Sequence, residues 1–305
     1  MKRILITGGT GFIGRGLVRE LLDRGDQVTV LTRDVGRARP KLPPAVRVAA
    51  WDPHKDGAWS DELSVIDAVV HLAGEPVFKR WTPEHKQRIV SSRVDSTRLL
   101  VEAIGRADKK PSVLVSASAV GYYGAHPFSE TVDEGDEPGR DFLADVCDKW
   151  EAAAREVEQH GVRSVMVRIG IVLGEDGGAL EPMVKAFRRF AGGPLGDGKQ
   201  PVAWVHRDDV VGIMLFALDH EEVTGPINAV SPYPVTNAEL ARTLGTVLNR
   251  PSWFRMPHGA LRLLFNDGAD MLTTGQRVYP KRAAELGYEF RQARLMRALE
   301  SILAD

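Results

Sequence analysis

The chain has 305 residues, 40 lysines and arginines against 41 aspartates and glutamates, and a single cysteine, Cys147. This length is enough for one large domain or two unequal ones, so a small disulfide-stapled protein is excluded. The net charge of −1 provides no overall basic field for nucleic acid or an anionic membrane, which favours a small-molecule partner. Cys147 has no second cysteine to pair with, and no His/Cys cluster at metal-ligand spacing accompanies it, so we predict no metal site.

Apolar runs in the chain are short. None approaches the ~18 residues of a membrane span. The run at 4–6, which follows the basic N-terminus, is too short for the core of a signal peptide. We therefore expect a soluble, cytoplasmic protein that binds neither a membrane nor nucleic acid.

Short runs rich in valine and isoleucine alternate with longer amphipathic stretches up to about residue 172. The predicted strands are 3–7, 27–32, 46–50, 68–72, 113–116 and 164–169. The predicted helices are 13–24, 83–104 and 142–159. Strands joined through helices form right-handed crossovers, and uniformly apolar strands are typical of a parallel sheet covered on both faces. The sequence thus predicts an α/β protein with a Rossmann-type, doubly wound parallel sheet.

A glycine-rich turn follows the first predicted strand and opens the first helix. Its spacing, Gly-x-x-Gly-x-x-Gly, is typical of dinucleotide binding in this position. Gly8 allows the tight turn, Gly11 lets backbone amides approach a pyrophosphate, and Gly14 lets the helix lie close to the sheet. The predicted cofactor contacts here are Gly8, Thr10, Gly11, Phe12, Ile13 and Gly14. The alternative is an ordinary glycine-rich connection.

The residues that end the second predicted strand distinguish between cofactors. An acidic side chain at this point hydrogen-bonds an unmodified ribose, whereas a basic one accommodates a 2′-phosphate. Arg33 lies 19 residues after Gly14 and is preceded by Thr32, so we predict NADP (NADPH) as the cofactor. Asp34 follows directly, and Arg33 on a solvated loop is the alternative. Asp52, after the third strand, is expected to accept from the adenine amino group.

The fourth predicted strand leads into a further candidate cofactor segment. Small residues there let a cofactor pass close to the backbone, and an acidic side chain can bind a ribose or substrate hydroxyl. The predicted contacts are Leu72, Ala73, Gly74 and Glu75.

After about residue 172 the strand–helix alternation ends. Residues 192–198 form a predicted glycine-rich loop, and Thr236 with Glu239 forms a capping box that starts a helix. Asp208 and Asp209 are expected to cap a helix through 213–218. We predict an NADP-binding Rossmann domain of residues 1–172 and 205–229, and a smaller C-terminal α/β substrate lobe of residues 173–204 and 230–305.

The glycine turn, Leu72-Ala73-Gly74 and a serine on the fifth strand resemble the extended short-chain dehydrogenase/reductase superfamily. Further segments are similar to one atypical subfamily, the NAD(P)-binding nucleoside-diphosphate-sugar epimerases also named cell-division-inhibitor-like. These segments are 72–76, 80–81, 92–93, 121–124, 149–151, 168–170, 204–206 and the C-terminal extension at 275–280. The resemblance implies a Rossmann-type fold with a C-terminal substrate lobe. Relatives form dimers through helices that correspond to 83–104 and 142–159, so a homodimer is the assembly it suggests.

The catalytic pattern of that superfamily is incomplete in this chain. Relatives use a strand-five Ser or Thr with a Tyr four residues before a Lys, so that one helical turn brings Tyr and Lys together and the lysine lowers the tyrosine pKa. Ser118 matches the serine. Alignment on Glu151 puts Leu143 and Cys147 where Tyr and Lys should stand, and no register of the helix supplies a tyrosine.

Two tyrosines follow the fifth predicted strand at the sheet edge where open α/β sheets bind ligands. Tyr122 or Tyr123 could therefore donate a proton together with Ser118, and we name these three as the candidate catalytic residues. Aromatic packing of the loop is the alternative for either tyrosine.

Five further residues are candidates for binding substrate. Arg80, Lys86 and Arg93 lie in and after the loop that follows the fourth strand, where they could bind an anion; solvated charges are the alternative. Trp204 and His206 match a segment that borders the substrate pocket in the superfamily, although a lone histidine is more often structural.

Two functions remain open at this point. The first is an NADP-dependent oxidoreductase or epimerase acting on a small polar substrate, with the nicotinamide carrying the hydride. The second is a catalytically silent NADP-binding regulatory or scaffold protein, related to cell division or redox sensing. The missing Tyr and Lys favour the second, and the polar groups at the sheet edge favour the first.

Overall fold

A computed structural model describes residues 1–304. The strands are β1 (Arg3–Thr7), β2 (Gln27–Thr32), β3 (Arg47–Ala50), β4 (Ala68–His71), β5 (Val113–Ala119), β6 (Thr131–Val132), β7 (Arg163–Ile169), β8 (Ile171–Leu173), β9 (Pro201–Val202), β10 (Trp204–His206), β11 (Gly225–Ala229), β12 (Val235–Thr236) and β13 (Arg277–Val278). The helices are α1 (Phe12–Asp23), α2 (Val35–Ala38), α3 (Pro83–Ser91), α4 (Val94–Arg106), α5 (Phe142–Arg155), α6 (Leu180–Arg188), α7 (Arg207–Asp219), α8 (Asn237–Val247), α9 (His258–Phe265), α10 (Asp270–Thr273), α11 (Lys281–Glu285) and α12 (Leu295–Leu303).

The central sheet has seven strands in the order β3-β2-β1-β4-β5-β7-β11. Every neighbouring pair is parallel. The direction of winding reverses between β1 and β4, and the crevice beyond the carboxyl ends of these strands is the usual ligand position in open α/β sheets. The predicted Rossmann-type fold is confirmed.

Helices cover both faces of this sheet, so its strands are apolar on both sides. One core packs α1 and α7 against the sheet, with Leu17 and Ile213 fully buried. The core on the other face packs α4 and α5, with Leu100 and Ala154 fully buried. Both cores contain residues of β1, whose side chains alternate between the faces.

A third apolar cluster lies apart from the sheet. Buried residues of α6, α8 and α12 surround Trp204, which is fully buried. This separate core supports a C-terminal lobe. Ala283, Leu286 and Tyr288 instead pack into the core that contains α1 and α7, so the division into 1–172 with 205–229 and 173–204 with 230–305 stays a prediction. Within residues 1–304, no helix is both long and apolar enough to cross a bilayer.

The predicted single helix 83–104 is wrong, because it breaks between α3 and α4. At the break, the N–H of Arg93 donates to the carbonyl of Val90, one residue short of the α-helical partner. The carbonyl of Ile89, which that N–H would otherwise use, accepts from the Arg93 guanidinium at 3.3 Å. The side chains of Arg93 and Ser92 therefore take the acceptor that would have continued the helix.

Other helix ends correct or confirm the sequence predictions. The helix predicted for 142–159 ends at Arg155 and continues as a 3₁₀ turn at Glu156–His160. The predicted cap of α7 is wrong: Nδ1 of His206 accepts from the N–H of Asp208 at 3.1 Å. The capping box of Thr236 and Glu239 is confirmed.

Candidate functional site

The glycine turn between β1 and α1 is closely packed against the end of β4. Gly8 has φ +71°, and a Cβ there would lie 2.7 Å from the carbonyl carbon of Leu72 and 2.9 Å from the nitrogen of Ala73. A Cβ on Gly14 would collide with the carbonyl oxygen of Gly8. Gly11 is the N-cap of α1 and no side chain caps that helix in the described chain, so its first amides face the crevice as an anion-binding terminus. The turn fits a dinucleotide pyrophosphate.

A buried histidine supports this junction. The Thr7 hydroxyl lies 2.7 Å from His71 Nδ1 and accepts from the N–H groups of Leu72 and Ala73, each at 3.2 Å. Complete burial, with Arg93 contributing, lowers the pKa of His71 to about 4. The Thr7 hydroxyl therefore joins β1 to the turn after β4, and the neutral imidazole of His71 fixes the orientation of that hydroxyl. Sequence reasoning missed His71, whose only signal is its place directly before Leu72-Ala73-Gly74.

A pocket of about 280 Å³ opens beyond the ends of β2 and β3. It is lined by Arg33, Trp51, Asp52, Pro53 and His54. Arg33 is exposed here, with Thr32 half-buried beside it. Asp34 is engaged elsewhere: its carboxylate accepts from the N–H of Arg37 at 3.0 Å and forms an ion pair with the Arg37 side chain. Of the two neighbours at the end of β2, Arg33 therefore lines the pocket and Asp34 does not.

Glu75 lies at the sheet edge in a turn whose backbone is hydrogen-bonded by Ser92 and Arg93. Its carboxylate forms an ion pair with Lys79 at 2.7 Å, and the hydrogen bond from Lys79 is the largest cause of the lowered pKa of Glu75. The backbone N–H of Glu75 donates to Ser92, and its carbonyl accepts from Arg93 at 3.0 Å. The Arg93 guanidinium lies 5.2 Å from the centre of the Trp150 ring. Arg93 thus supports the cofactor turn from inside.

The other two basic candidates, Arg80 and Lys86, belong to a loop and helix that contact residues 265–268. Lys86 Nζ forms an ion pair with Asp267 at 2.9 Å and lies 5.6 Å from the centre of the Trp81 ring. The N–H of Trp81 donates to the carbonyl of Phe265 at 3.2 Å. Arg80, directly before Trp81, is exposed. This loop and the 265–268 segment are joined across the sheet edge.

Trp204 and His206 lie in the interior. The indole N–H of Trp204 donates to the carbonyl of Tyr233 at 3.1 Å, and its ring is fully buried. His206 is 6% exposed and caps α7. Burial lowers the pKa of His206, against opposing effects of Asp208 and Asp209.

Ser118 belongs to a buried ionic cluster. It lies on β5, opposite Arg168 of β7. The Ser118 hydroxyl donates to Glu151 Oε1 at 2.6 Å, and Arg168 binds both oxygens of Glu151 at 2.8 and 2.9 Å. The side chains of Glu151 and Arg168 are each 2% exposed. The serine proton is therefore directed to a carboxylate.

The two tyrosines occupy different environments. The Tyr123 hydroxyl donates to Asn228 at 2.7 Å and accepts from Arg168 at 3.0 Å, and burial raises its pKa. Tyr122 is half-buried, and its ring centre lies 3.5 Å from the Arg168 guanidinium carbon. Burial raises the pKa of Tyr122, and the charge of Arg168 opposes that rise. Of the three catalytic candidates, only Tyr122 is partly exposed, since Ser118 is 3% and Tyr123 1% exposed.

The helix positions of the missing Tyr and Lys lie beside this cluster. A Cβ on Gly121 would lie 3.4 Å from Leu143 Cβ and 4.0 Å from the sulfur of Cys147. Burial raises the pKa of Cys147 to about 12, so the thiol stays neutral and cannot replace a lysine cation. The cation next to Tyr122 comes instead from Arg168, on the neighbouring strand. Sequence reasoning missed that role, because only the fold brings residues 122, 151 and 168 together.

Residues 4–231 match the sequence profile of the NAD dependent epimerase/dehydratase family. The chain belongs to this family. Residues 256–302 match a second profile, described as a domain of unknown function (DUF1731). The C-terminal extension, which includes residues 275–280, thus matches a separate family profile.

Curated relatives in the family cover almost the whole chain. The epimerase family protein SDR39U1 homolog, chloroplastic, of Arabidopsis thaliana is 42% identical over 98% of this chain and 86% of its own length. The epimerase family protein SERP0438 of Staphylococcus epidermidis is 36% identical over 99% of each chain.

Solved structures show the same architecture. The human epimerase family protein SDR39U1 (isoform 2), crystallised with NADPH, has a TM-score of 0.86 at 35% identity and covers 99% of each chain. The nucleoside-diphosphate sugar epimerase from Corynebacterium glutamicum has a TM-score of 0.80 at 33% identity, covering 99% of this chain and 58% of that one. At 19% identity, the UDP-glucuronic acid 4-epimerase from Bacillus cereus, with a TM-score of 0.79 over 98% of this chain and 95% of its own, supports the fold alone. The resemblance to atypical short-chain dehydrogenases/reductases is confirmed.

Proposed function

We propose that this family member binds NADP(H) at the switch point of its sheet and acts as an oxidoreductase or epimerase on a small polar substrate, without a Tyr-x-x-x-Lys pair. The observation that carries the cofactor proposal is the pocket lined by Arg33 and Asp52, from which Asp34 is held away by Arg37. A guanidinium in that position suits a 2′-phosphate, which it can bind through two hydrogen bonds. The NADPH in the structure of the related human protein supports the same cofactor.

The proposed chemistry assigns the proton to Tyr122. The nicotinamide, when bound, supplies or accepts the hydride. The Tyr122 phenol is protonated at neutral pH and can donate a proton to a substrate oxygen. Burial raises the pKa of Tyr122 and so weakens it as an acid, and the charge of Arg168 opposes that rise. The Arg168 guanidinium against the ring stabilises the negative charge that this transfer leaves. Ser118 and Tyr123 then act as positioning residues, because the Ser118 hydroxyl donates to Glu151 and the Tyr123 hydroxyl accepts from Arg168.

The proposed substrate cleft lies between the Rossmann domain and the C-terminal lobe. Glu75 and Arg80 border it at the sheet edge, and Lys86 lies where the two parts meet. Arg80 is the candidate contact for an anionic group because it is exposed, whereas Lys86 already forms an ion pair with Asp267. Arg93 supports the Glu75 turn of this cleft from the interior, whereas Trp204 and His206 act through packing and helix capping.

One observation favours the second candidate, an NADP-binding protein without turnover. The hydroxyls of Ser118 and Tyr123 are both committed to the buried cluster with Glu151 and Arg168. Such a cluster can serve stability alone, with the nucleotide acting as a signal.

Turnover by a Tyr122→Phe variant distinguishes these functions. We expect the purified protein to oxidise NADPH with at least one member of a panel of carbonyl compounds and nucleotide sugars. Tyr122→Phe should lower that rate by about 100-fold or more, because it removes the proton donor, and should leave NADPH affinity unchanged. Tyr279→Phe is the matched control, since the Tyr279 side chain is 42% exposed and the substitution keeps the backbone carbonyl that accepts from Asn228. Equal rates in Tyr122→Phe and wild type would remove Tyr122 from the mechanism. Tight NADPH binding without turnover across the panel would favour the silent binder.

A further inference from the structure

Two adjacent loops of the C-terminal lobe expose aromatic side chains to solvent. Phe190 is 56% exposed, Trp253 74% and Phe254 48%. The loops are joined directly: the indole N–H of Trp253 donates to the carbonyl of Phe190 at 3.1 Å, and the N–H of Phe254 donates to the carbonyl of Gly192 at 3.1 Å. These three aromatic residues therefore form one patch, which we call the aromatic patch.

The backbone at Phe190 is unfavourable for its residue type. Phe190 follows the C-cap of α6 with φ +59°, a left-handed conformation that this position of a helix end usually gives to glycine. A residue with a Cβ pays about 1 kcal/mol there. The chain thus accepts local strain at the point where it exposes a large apolar ring, which points to a function for that ring.

Basic residues surround the aromatic patch, and acidic ones are missing from its segments. Arg188 and Arg189 directly precede Phe190, while Arg250 and Arg255 flank the other two aromatics. The segments 182–196 and 240–266 contain no aspartate or glutamate. None of the four arginines forms an ion pair within residues 1–304, and the Arg250 guanidinium lies 4.9 Å from the centre of the Phe190 ring. The overall charge of −1, from which we expected no membrane binding, conceals this local excess of positive charge, so that expectation does not hold for this surface.

We propose that the aromatic patch docks onto an anionic lipid surface, with the aromatic rings at the boundary of headgroups and acyl chains and the exposed Arg188, Arg189 and Arg255 on lipid phosphates. Arginines beside exposed Trp and Phe are the composition of interfacial membrane anchors. Trp253 already satisfies its indole N–H within the protein, so its ring can enter an apolar layer. The adjoining helix α9 adds exposed Leu263 and Leu264 at 75% and 56%. Aliphatic side chains suit acyl chains better than the stacked bases of a nucleic acid.

Vesicle co-sedimentation tests this surface with the full chain. We expect binding to vesicles of phosphatidylcholine and phosphatidylserine in roughly a two-to-one ratio, weakening as salt is raised, and little binding to phosphatidylcholine alone. Arg188→Gln with Arg189→Gln should weaken binding by about tenfold or more. Arg19→Gln with Arg98→Gln is the matched control, because it removes the same charge from exposed positions on α1 and α4. Equal loss in both pairs of substitutions would contradict the patch and indicate a general charge effect.

Phe190→Gly separates lipid binding from folding. Glycine relieves the left-handed strain, so the melting temperature should stay the same or rise while vesicle binding falls by about fivefold or more. In the wild-type protein, brominated lipids should quench tryptophan fluorescence, and Trp253→Phe should lose most of that quenching. Absence of vesicle binding would overturn the proposal. It would also be overturned if the same residues bound polyglutamate or single-stranded RNA and not vesicles.

Discussion

Replacing Arg168 with Met should lower the free energy of unfolding by about 3–5 kcal/mol, because it leaves the Glu151 carboxylate buried without its cation. Both side chains are 2% exposed, and the pair is bidentate. Burial by itself would lower the pKa of Arg168, but its bonds to Glu151 outweigh that effect and raise it, so the guanidinium stays charged. Chemical denaturation at neutral pH measures the loss.

A double-mutant cycle shows whether this loss comes from the pair. Glu151→Leu combined with Arg168→Met removes both charges, so it should recover much of the stability that either single substitution loses. If the double variant is as unstable as the sum of the single variants, the two side chains are not coupled and the described cluster is contradicted. The double variant also retains Tyr122 without its cation, which allows turnover to be measured in a folded protein.

The second large effect concerns pH and His71. Its pKa of about 4 in the folded protein lies below the 6.5 of an unperturbed histidine, so the unfolded chain binds more protons between these values. Stability from the neutral imidazole is fully present above pH ~6.5 and is lost as the pH falls toward 4. We expect this one group to contribute about 2–3 kcal/mol of the stability lost between pH 7 and about pH 4.5.

Comparison with a His71→Gln variant isolates that contribution. His206 also has a lowered pKa and adds to the same trend, so the quantity to measure is the difference between wild type and variant at each pH. The difference should shrink by the stated amount as the pH falls. An NMR titration of His71 in the folded protein with a midpoint near 6.5 would contradict the buried neutral state.

Six strands of the central sheet were predictable because each is a short local run of apolar residues. The seventh, β11, was not predicted, because its segment Gly-Pro-Ile-Asn-Ala has no such run. β1 and β2 have the bounds predicted from their runs of valine, isoleucine and leucine. The glycine turn was predictable for a related reason, since Gly8 and Gly14 are required by backbone contacts between neighbouring elements. Local patterns failed where a side chain competes with the backbone, as Arg93 does at the break between α3 and α4.

The candidate site was less predictable, because its chemistry depends on residues far apart in the sequence. Ser118, Glu151 and Arg168 meet only through the pairing of β5 with β7 and the packing of α5 on both. No spacing rule indicates that the serine donates to a carboxylate or that a strand arginine lies under Tyr122. For the same reason, the prediction that Trp204 borders a ligand could not reveal that it forms the centre of a separate core.

We propose that Arg33 selects a 2′-phosphorylated cofactor, and calorimetric titration of NADPH and NADH into the wild type and an Arg33→Ala variant tests this role directly. Arg33→Ala should weaken NADPH binding by about 30-fold or more, the usual value of a charge-assisted contact, and leave NADH binding nearly unchanged. Lys41→Ala is the matched control, because Lys41 is an exposed cation in the same part of the chain that neither lines the pocket nor pairs with Asp34. Equal losses for NADPH and NADH in Arg33→Ala, or wild-type binding of NADH as tight as that of NADPH, would contradict the account.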